Sequence, residues 1–382
     1  MNLFSDKIQF EKMKGVGTMT LDLVPNQRVY TLIGENGIGK TKLLESLFAF
    51  LLFTNKQVLK TGRSVNATLV PFQKVFFDNA TTELQGWFSL HQQNSYFSFQ
   101  HNFPVVYLSA QHRGAINEKS YDRGKIVKLG SRDNRKNQYL YYLLKSFEGN
   151  PEGLKNINMD IDLEEWIIQR AQSANPYQAK EDNREIEIKT LLSLLHQVDE
   201  RISPDFLEIS GDNRVFIHIE EQKRELSELS SGFSSILKIL QSIIAGYSYF
   251  TNETQIANVK GVVLIDEIES HLHNKWQVNI IPLLKKLFPN TTFVITTHSS
   301  LVISQLSDGE AYRLERNKED GVVYAKPIKN PSKITFIDLM QNAFDVNLNQ
   351  LKINRAMQSD QKQVKKMLLD FVNEQLETLG DK

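Results

Sequence analysis

The sequence predicts an α/β fold: a mainly parallel sheet with an antiparallel β segment and an inserted helical lobe. Three observations carry this expectation. Short continuous apolar runs, Val29 to Ile33, Val262 to Ile265 and Thr292 to Thr296, are separated by longer stretches with helical spacing. Strands buried on both faces alternate with covering helices in this way. Met19, Leu21 and Leu23 alternate with Thr18, Thr20 and Asp22, the period of a half-buried strand. From about 115 to 203 the text turns helical, in NQYLYYLLKSF, LEEWIIQRAQ and IKTLLSLLHQVDERI.

In chain order, residues 1–114 and 204–330 are expected to form one discontinuous core, 115–203 the inserted lobe, and 331–382 a polar helical extension. Lys40 to Phe53 is apolar nearly all round, as suits a helix packed between layers. Residues 66–108 read as strands, YFSF among them, and strands resume at DFLEIS and RVFIHIEE. A helix is expected over Ser234 to Tyr247. The next carries Trp276, Ile280, Leu283, Leu284 and Leu287, with a kink at Pro282. In the extension, Val364, Met367, Leu368, Phe371 and Val372 share one helical face.

At 382 residues the chain exceeds a usual single core, so two lobes or one elaborated domain are expected. Basic and acidic residues both number 45, so any nucleic-acid or anionic-membrane contact must be a local patch. The absence of cysteine excludes disulfides and thiolate metal sites. The N-terminal text lacks a signal-peptide apolar run, and Leu43 to Phe53 is too short to span a bilayer. A cytosolic chain without a membrane partner is expected.

Directly after the first buried strand comes Gly34-Glu35-Asn36-Gly37-Ile38-Gly39-Lys40-Thr41, the spacing GxxxxGKT, which opens a helix. Backbone N–H groups of such a loop cradle phosphate oxygens, and the helix N-terminus adds partial positive charge. Lys40 would reach the β- and γ-phosphates, and the Thr41 hydroxyl would ligate magnesium. ATP and Mg2+ are the expected ligands. Asp266-Glu267 follows the second buried strand, placing two acids at the carboxyl edge of the sheet. Asp266 would hold magnesium, and Glu267 would orient or deprotonate the attacking water. His298 ends a later strand and could contact the γ-phosphate or that water. Leu229-Ser230-Ser231-Gly232-Phe233 precedes a helix and reads as an anion site or as a serine-rich cap.

The set Gly34 to Thr41, Leu229 to Phe233, Asp266-Glu267 and His298, in this order, resembles an ABC-type ATPase head. In that family two heads sandwich two nucleotides. The resemblance therefore implies a homodimer in which Ser230 and Gly232 contact the γ-phosphate bound by the partner. It also implies a glutamine that couples the lobes and contacts nucleotide and magnesium, for which Gln111 is the best match and Arg113 an alternative. Phe233 stands where the family usually has Gln or Glu. Ile268 replaces the proline of transporter heads, and the gap from Gly232 to Asp266 is longer than theirs. EIESHLHNKWQ instead resembles the DExExHLHPxxQ text of RecF-like and OLD-like heads, and of the Septu, PARIS and retron-associated antiphage ATPases. That branch implies a head acting on a separate effector, a nuclease or toxin. A RecF-like DNA-repair ATPase is the alternative, and a transporter motor fits less well.

Few residues follow 330, too few for an appended nuclease domain. Asp160 and Asp162 read as acids at a helix start, Glu187 and Lys189 as a solvated face, and His271 and His273 as structural residues. Arg123, Lys125, Lys128, Arg132, Arg135 and Lys136 form one basic stretch against Asp122 and Asp133. It reads either as a solvated loop or as a nucleic-acid contact.

Overall fold

The computed structural model describes residues 4, 7–91, 97–114, 116, 128–149, 153–179, 181–251 and 254–335, with isolated helical positions between 338 and 369. Residues 1–332 form one compact unit and 333–382 a second. In the second, the Thr335 hydroxyl donates to Asp338 at 2.7 Å. The expected extension face (Val364, Met367, Leu368, Phe371, Val372) lies outside the described residues, as do Asp122, Arg123 and Lys125.

The first unit begins with β1 (Ile8–Met13), β2 (Gly17–Leu21) and β3 (Val29–Ile33), then α1 (Lys40–Thr54) and α2 (Lys56–Leu59). Short strands follow: β4 (Ser64–Asn66), β5 (Lys74–Phe77), β6 (Ala80–Glu83), β7 (Trp87–Ser89) and β8 (Val105–Leu108). Four helices come next, α3 (Arg132–Lys145), α4 (Gly153–Asn156), α5 (Leu163–Gln172) and α6 (Glu185–Val198). A small antiparallel sheet, β9 (Ile202–Ile209), β10 (Val215–Ile219) and β11 (Gln222–Glu225), precedes α7 (Ser231–Phe250). The chain then runs through β12 (Gly261–Ile265), α8 (Asn274–Leu287), β13 (Thr291–Thr296), α9 (Ser300–Ile303), β14 (Ala311–Arg316) and β15 (Val323–Pro327).

Ten strands form one sheet in the order β6-β5-β1-β2-β15-β14-β3-β13-β12-β8. From β14 to β8 every neighbouring pair is parallel, whereas β6, β5, β1 and β2 pair antiparallel. Strands β3 and β12 are buried at every position, which explains their unbroken apolar text.

Helix α1 lies on this sheet, buried from Leu43 to Thr54. Phe50 packs edge-on against Phe10, Phe77 and Phe97 and stacks on Phe99. The YFSF text therefore marks buried rings: Phe97 and Phe99 are core residues on irregular backbone rather than in a strand. Phe50→Ala should cost about 3–5 kcal/mol of stability, because the surrounding rings cannot close the gap. Urea denaturation of the variant measures this directly.

Two expectations change among the helices. Glu187 is buried, not solvated: its carboxylate accepts from Arg170 Nε at 3.0 Å and Arg184 Nε at 2.6 Å. Arg135, in the basic stretch, is also buried and donates to the Gly130 and Glu181 carbonyls and to Asp182. It ties the start of α3 to the 181–182 segment and is no surface cation. Asp162 caps α5, accepting from the Glu164 and Glu165 amides at 3.0 Å each.

Candidate nucleotide site

Adjacent parallel strands β3, β13 and β12 end on the same edge of the sheet. The glycine loop leaves β3, Asp266-Glu267 leaves β12, and Thr297-His298 leaves β13. Residues far apart in sequence thus meet by strand order alone.

Two loop glycines are dictated by space and backbone. Gly34 has φ 154°, and a Cβ there would lie 3.0 Å from the Leu314 carbonyl. Gly39, with φ 107°, would push a Cβ to 2.6 Å from Val16 Cγ2. Lys40 turns back over the loop and donates to the carbonyls of Gly34 (2.8 Å) and Glu35 (3.0 Å). Burial lowers the Lys40 ammonium below its ordinary pKa, opposed by Asp266, Glu267 and Glu269. A partly desolvated cation beside N–H groups is well suited to phosphate.

Thr41 Oγ1 donates to Asp266 Oδ2 at 2.9 Å, and Thr296 Oγ1 donates to Oδ1 at 2.6 Å. Burial raises the Asp266 pKa, while the Thr296 and Thr41 hydrogen bonds oppose the rise. A hydroxyl beside a carboxylate is a hard-oxygen pair, and magnesium completes such a pair with phosphate and water oxygens. Glu267 has φ 46°, a left-handed backbone that a residue with a side chain adopts at a cost. Its amide donates to Thr296 Oγ1 at 2.8 Å, and its Oε2 accepts from Ser270 Oγ at 3.2 Å. A cavity of about 360 Å3 is lined by Asn36, Gly37, Gly39, Lys40, Thr41, Glu267 and His298, together with Lys14, Gly15, Val16 and Lys42. The structure thus brings the loop, both acids and His298 together.

Three predicted residues lie elsewhere in the chain. Gln111 is an exposed turn residue after β8 and is not among the residues lining this cavity. Ser230 caps α7, accepting from the Phe233 amide at 3.4 Å, and the residue is exposed. Gly232 packs so closely that a Cβ would sit 3.3 Å from the His271 carbonyl. Neither Ser230 nor Gly232 lines the phosphate-loop cavity of its own chain.

Residues 93–304, more than half of the chain, match the family model described as "AAA domain, putative AbiEii toxin, Type IV TA system". The chain belongs to this AAA-domain family. It is 25% identical over 328 residues to a Septu protein PtuA of Bacillus mycoides (strain KBAB4), covering 83% of this chain and 41% of that protein. A second Septu protein PtuA, of Bacillus thuringiensis, is 25% identical over 332 residues, which is 84% of this chain and 78% of the relative. A retron Ec83 probable ATPase of Escherichia coli is 37% identical over 93 residues, 24% of this chain and 17% of that one. The AAA-domain chain therefore spans less than half the length of the first relative and over three quarters of the second.

The structure also brings in residues that sequence reading missed. Glu269 accepts from Thr297 Oγ1 and from the His298 amide, both at 2.6 Å, and so pins the end of β13 to the loop after β12. Its sequence signal was the second acid of EIES, two positions after Glu267. Lys14 sits in the β1–β2 turn with its ammonium on the Thr68 carbonyl, and its pKa is lowered by burial and by Lys42. His271 and His273 belong to no metal cluster among the described residues. No helix among those residues is long and apolar enough to cross a membrane.

Proposed function

We propose that this AAA-domain chain is an ATPase of the antiphage-defence kind that closes as a homodimer around ATP and Mg2+ and regulates a separate effector. The observation that carries the reading is the hydrogen bond from Thr41 to Asp266 inside a cavity that also holds Lys40, Glu267 and His298. Loop amides and Lys40 hold the β- and γ-phosphates. Thr41 and Asp266 would hold magnesium, which would supply positive charge beside the phosphate oxygens. Glu267 takes or orients the proton of the attacking water, and His298 steadies the γ-phosphate or that water. Glu269 keeps His298 in place. Ser230 and Gly232 complete the site of the second copy, in keeping with an exposed Ser230 that does not line the cavity of its own chain. The Septu and retron relatives support the defence setting, and the separate effector rests on the resemblance of EIESHLHNKWQ to the heads of such systems. Residues 1–114 with 204–330 form the nucleotide-binding core in this reading, and 115–203 is the lobe inserted into it.

The sandwich is tested by mixing two inactive variants. Ser230→Arg obstructs the signature, and Lys40→Ala destroys the phosphate loop, so each homodimer carries two defective sites. A mixed dimer has one doubly defective site and one intact site. With random exchange, half the dimers are mixed, and ATPase activity should return to about a quarter of wild type. Full activity in Ser230→Arg alone would reduce the LSSGF stretch to a helix cap.

A further inference from the structure

We propose that Arg113 is a positioning residue: it holds the Glu267 peptide in its left-handed conformation and ties that acid to the helix that starts at Ser230. Its effect on turnover rests on the ATPase reading above. Arg113 is fully buried in the turn after β8 and, among the described residues, donates only to backbone. Nη1 reaches the Glu267 carbonyl at 2.9 Å, and Nη2 reaches the carbonyls of Asp266 at 2.8 Å and Ser109 at 2.7 Å. A buried guanidinium is costly to keep, and no carboxylate among the described residues hydrogen-bonds it. What it secures instead is the backbone of the two acids at the sheet edge.

The surrounding backbone is strained in three places at once. His112 (φ 59°), Glu267 (φ 46°) and His271 (φ 66°) are all left-handed without being glycine. The turn after β8 packs against one of them: a Cβ on Gly114 would lie 2.4 Å from the His271 ring. Strain at several linked positions persists only where neighbouring contacts over-determine it. Helix α7 supplies two of those contacts. Lys238 Nζ donates to the His112 carbonyl at 2.7 Å, and Ser235 Oγ donates to the Ser270 carbonyl at 3.2 Å. Lys238 lies about two turns beyond Ser230 on the same helix. Any displacement of α7 at its signature end is thereby transmitted through His112 and Arg113 to the peptide of Glu267.

The test compares Arg113→Met, Arg113→Lys and Lys238→Met with wild type. In Arg113→Met, kcat should fall about 10²-fold, since misplacing a reacting group by about 1 Å costs that much. Its Kd for a fluorescent ATP analogue should stay within about threefold of wild type, because the phosphate loop is untouched. Arg113→Lys should recover part of kcat, as an ammonium can still donate to the acid-bearing carbonyls. Amide hydrogen exchange should quicken over residues 267–271 in Arg113→Met and stay unchanged over 37–43. A wild-type kcat together with unchanged exchange overturns the proposal. So does a loss of nucleotide affinity as large as the loss of kcat, which would mark a merely structural role. If Arg113→Met does not fold, Lys238→Met decides: the same split at about tenfold supports the tie, and wild-type values overturn it. If the wild-type protein hydrolyses no ATP, the functional reading falls, and the exchange comparison alone judges the clamp.

Discussion

Lys40→Ala should leave the protein folded and unable to bind ATP. In the wild type the ammonium spans the loop from within, bonded to the carbonyls of Gly34 and Glu35. It lines the cavity in which a β- or γ-phosphate would sit, and burial has already stripped part of its hydration. Removing it deletes a charge-assisted contact, each worth roughly twice a neutral hydrogen bond, and relaxes the loop that aims the amides. A fluorescent-ATP titration should show no saturation at concentrations that saturate wild type. The stabilisation that bound ligand gives the folded state should vanish as well, so ATP should no longer raise the variant's melting temperature. Wild-type affinity in this variant would sink the phosphate-loop assignment.

Glu267→Gln should separate binding from chemistry. The amide is nearly isosteric, and the backbone at this position is held by Thr296 on one side and Arg113 on the other, independently of the side chain. ATP and magnesium should therefore bind normally. A glutamine cannot accept the proton of an attacking water, so turnover should fall by roughly 10²-fold or more. With hydrolysis slowed, an ATP-held dimer should accumulate and appear in light scattering. Wild-type turnover would remove Glu267 from the mechanism.

Much of the fold was legible because buried parallel strands announce themselves. Val29–Ile33 and Gly261–Ile265 are apolar at nearly every position, since both faces are covered. The phosphate loop and the acid pair were legible for a related reason: each directly follows such a strand. What stayed hidden depended on pairing between distant segments. Lys14 reads as an ordinary turn lysine until the β1–β2 turn is folded onto the glycine loop. Arg113 donates to carbonyls and Glu269 accepts from the His298 amide, and such backbone groups leave no trace in a sequence. Glu187 was misread because Arg170 reaches it from another helix, and its i,i+3 pairing with Arg184 is one that solvated helix faces also show. The YFSF text showed strand-like alternation, yet the rings obey the aromatic cluster around Phe50 rather than a ladder of hydrogen bonds.

The position of β3 bears on how the protein is made. This strand leaves the ribosome long before its two neighbours in the sheet, β13 and β14, which span residues 291–316. Until those residues emerge, β3 has both edges bare and its apolar faces wait for partners. Such long-range pairing is slow and leaves nascent chains prone to aggregation, so this segment is where a chaperone would be needed. It also means that a fragment ending before residue 291 holds the whole glycine loop and both acids but cannot assemble the edge on which they meet. ATP capture during synthesis would thus report that the central sheet has closed.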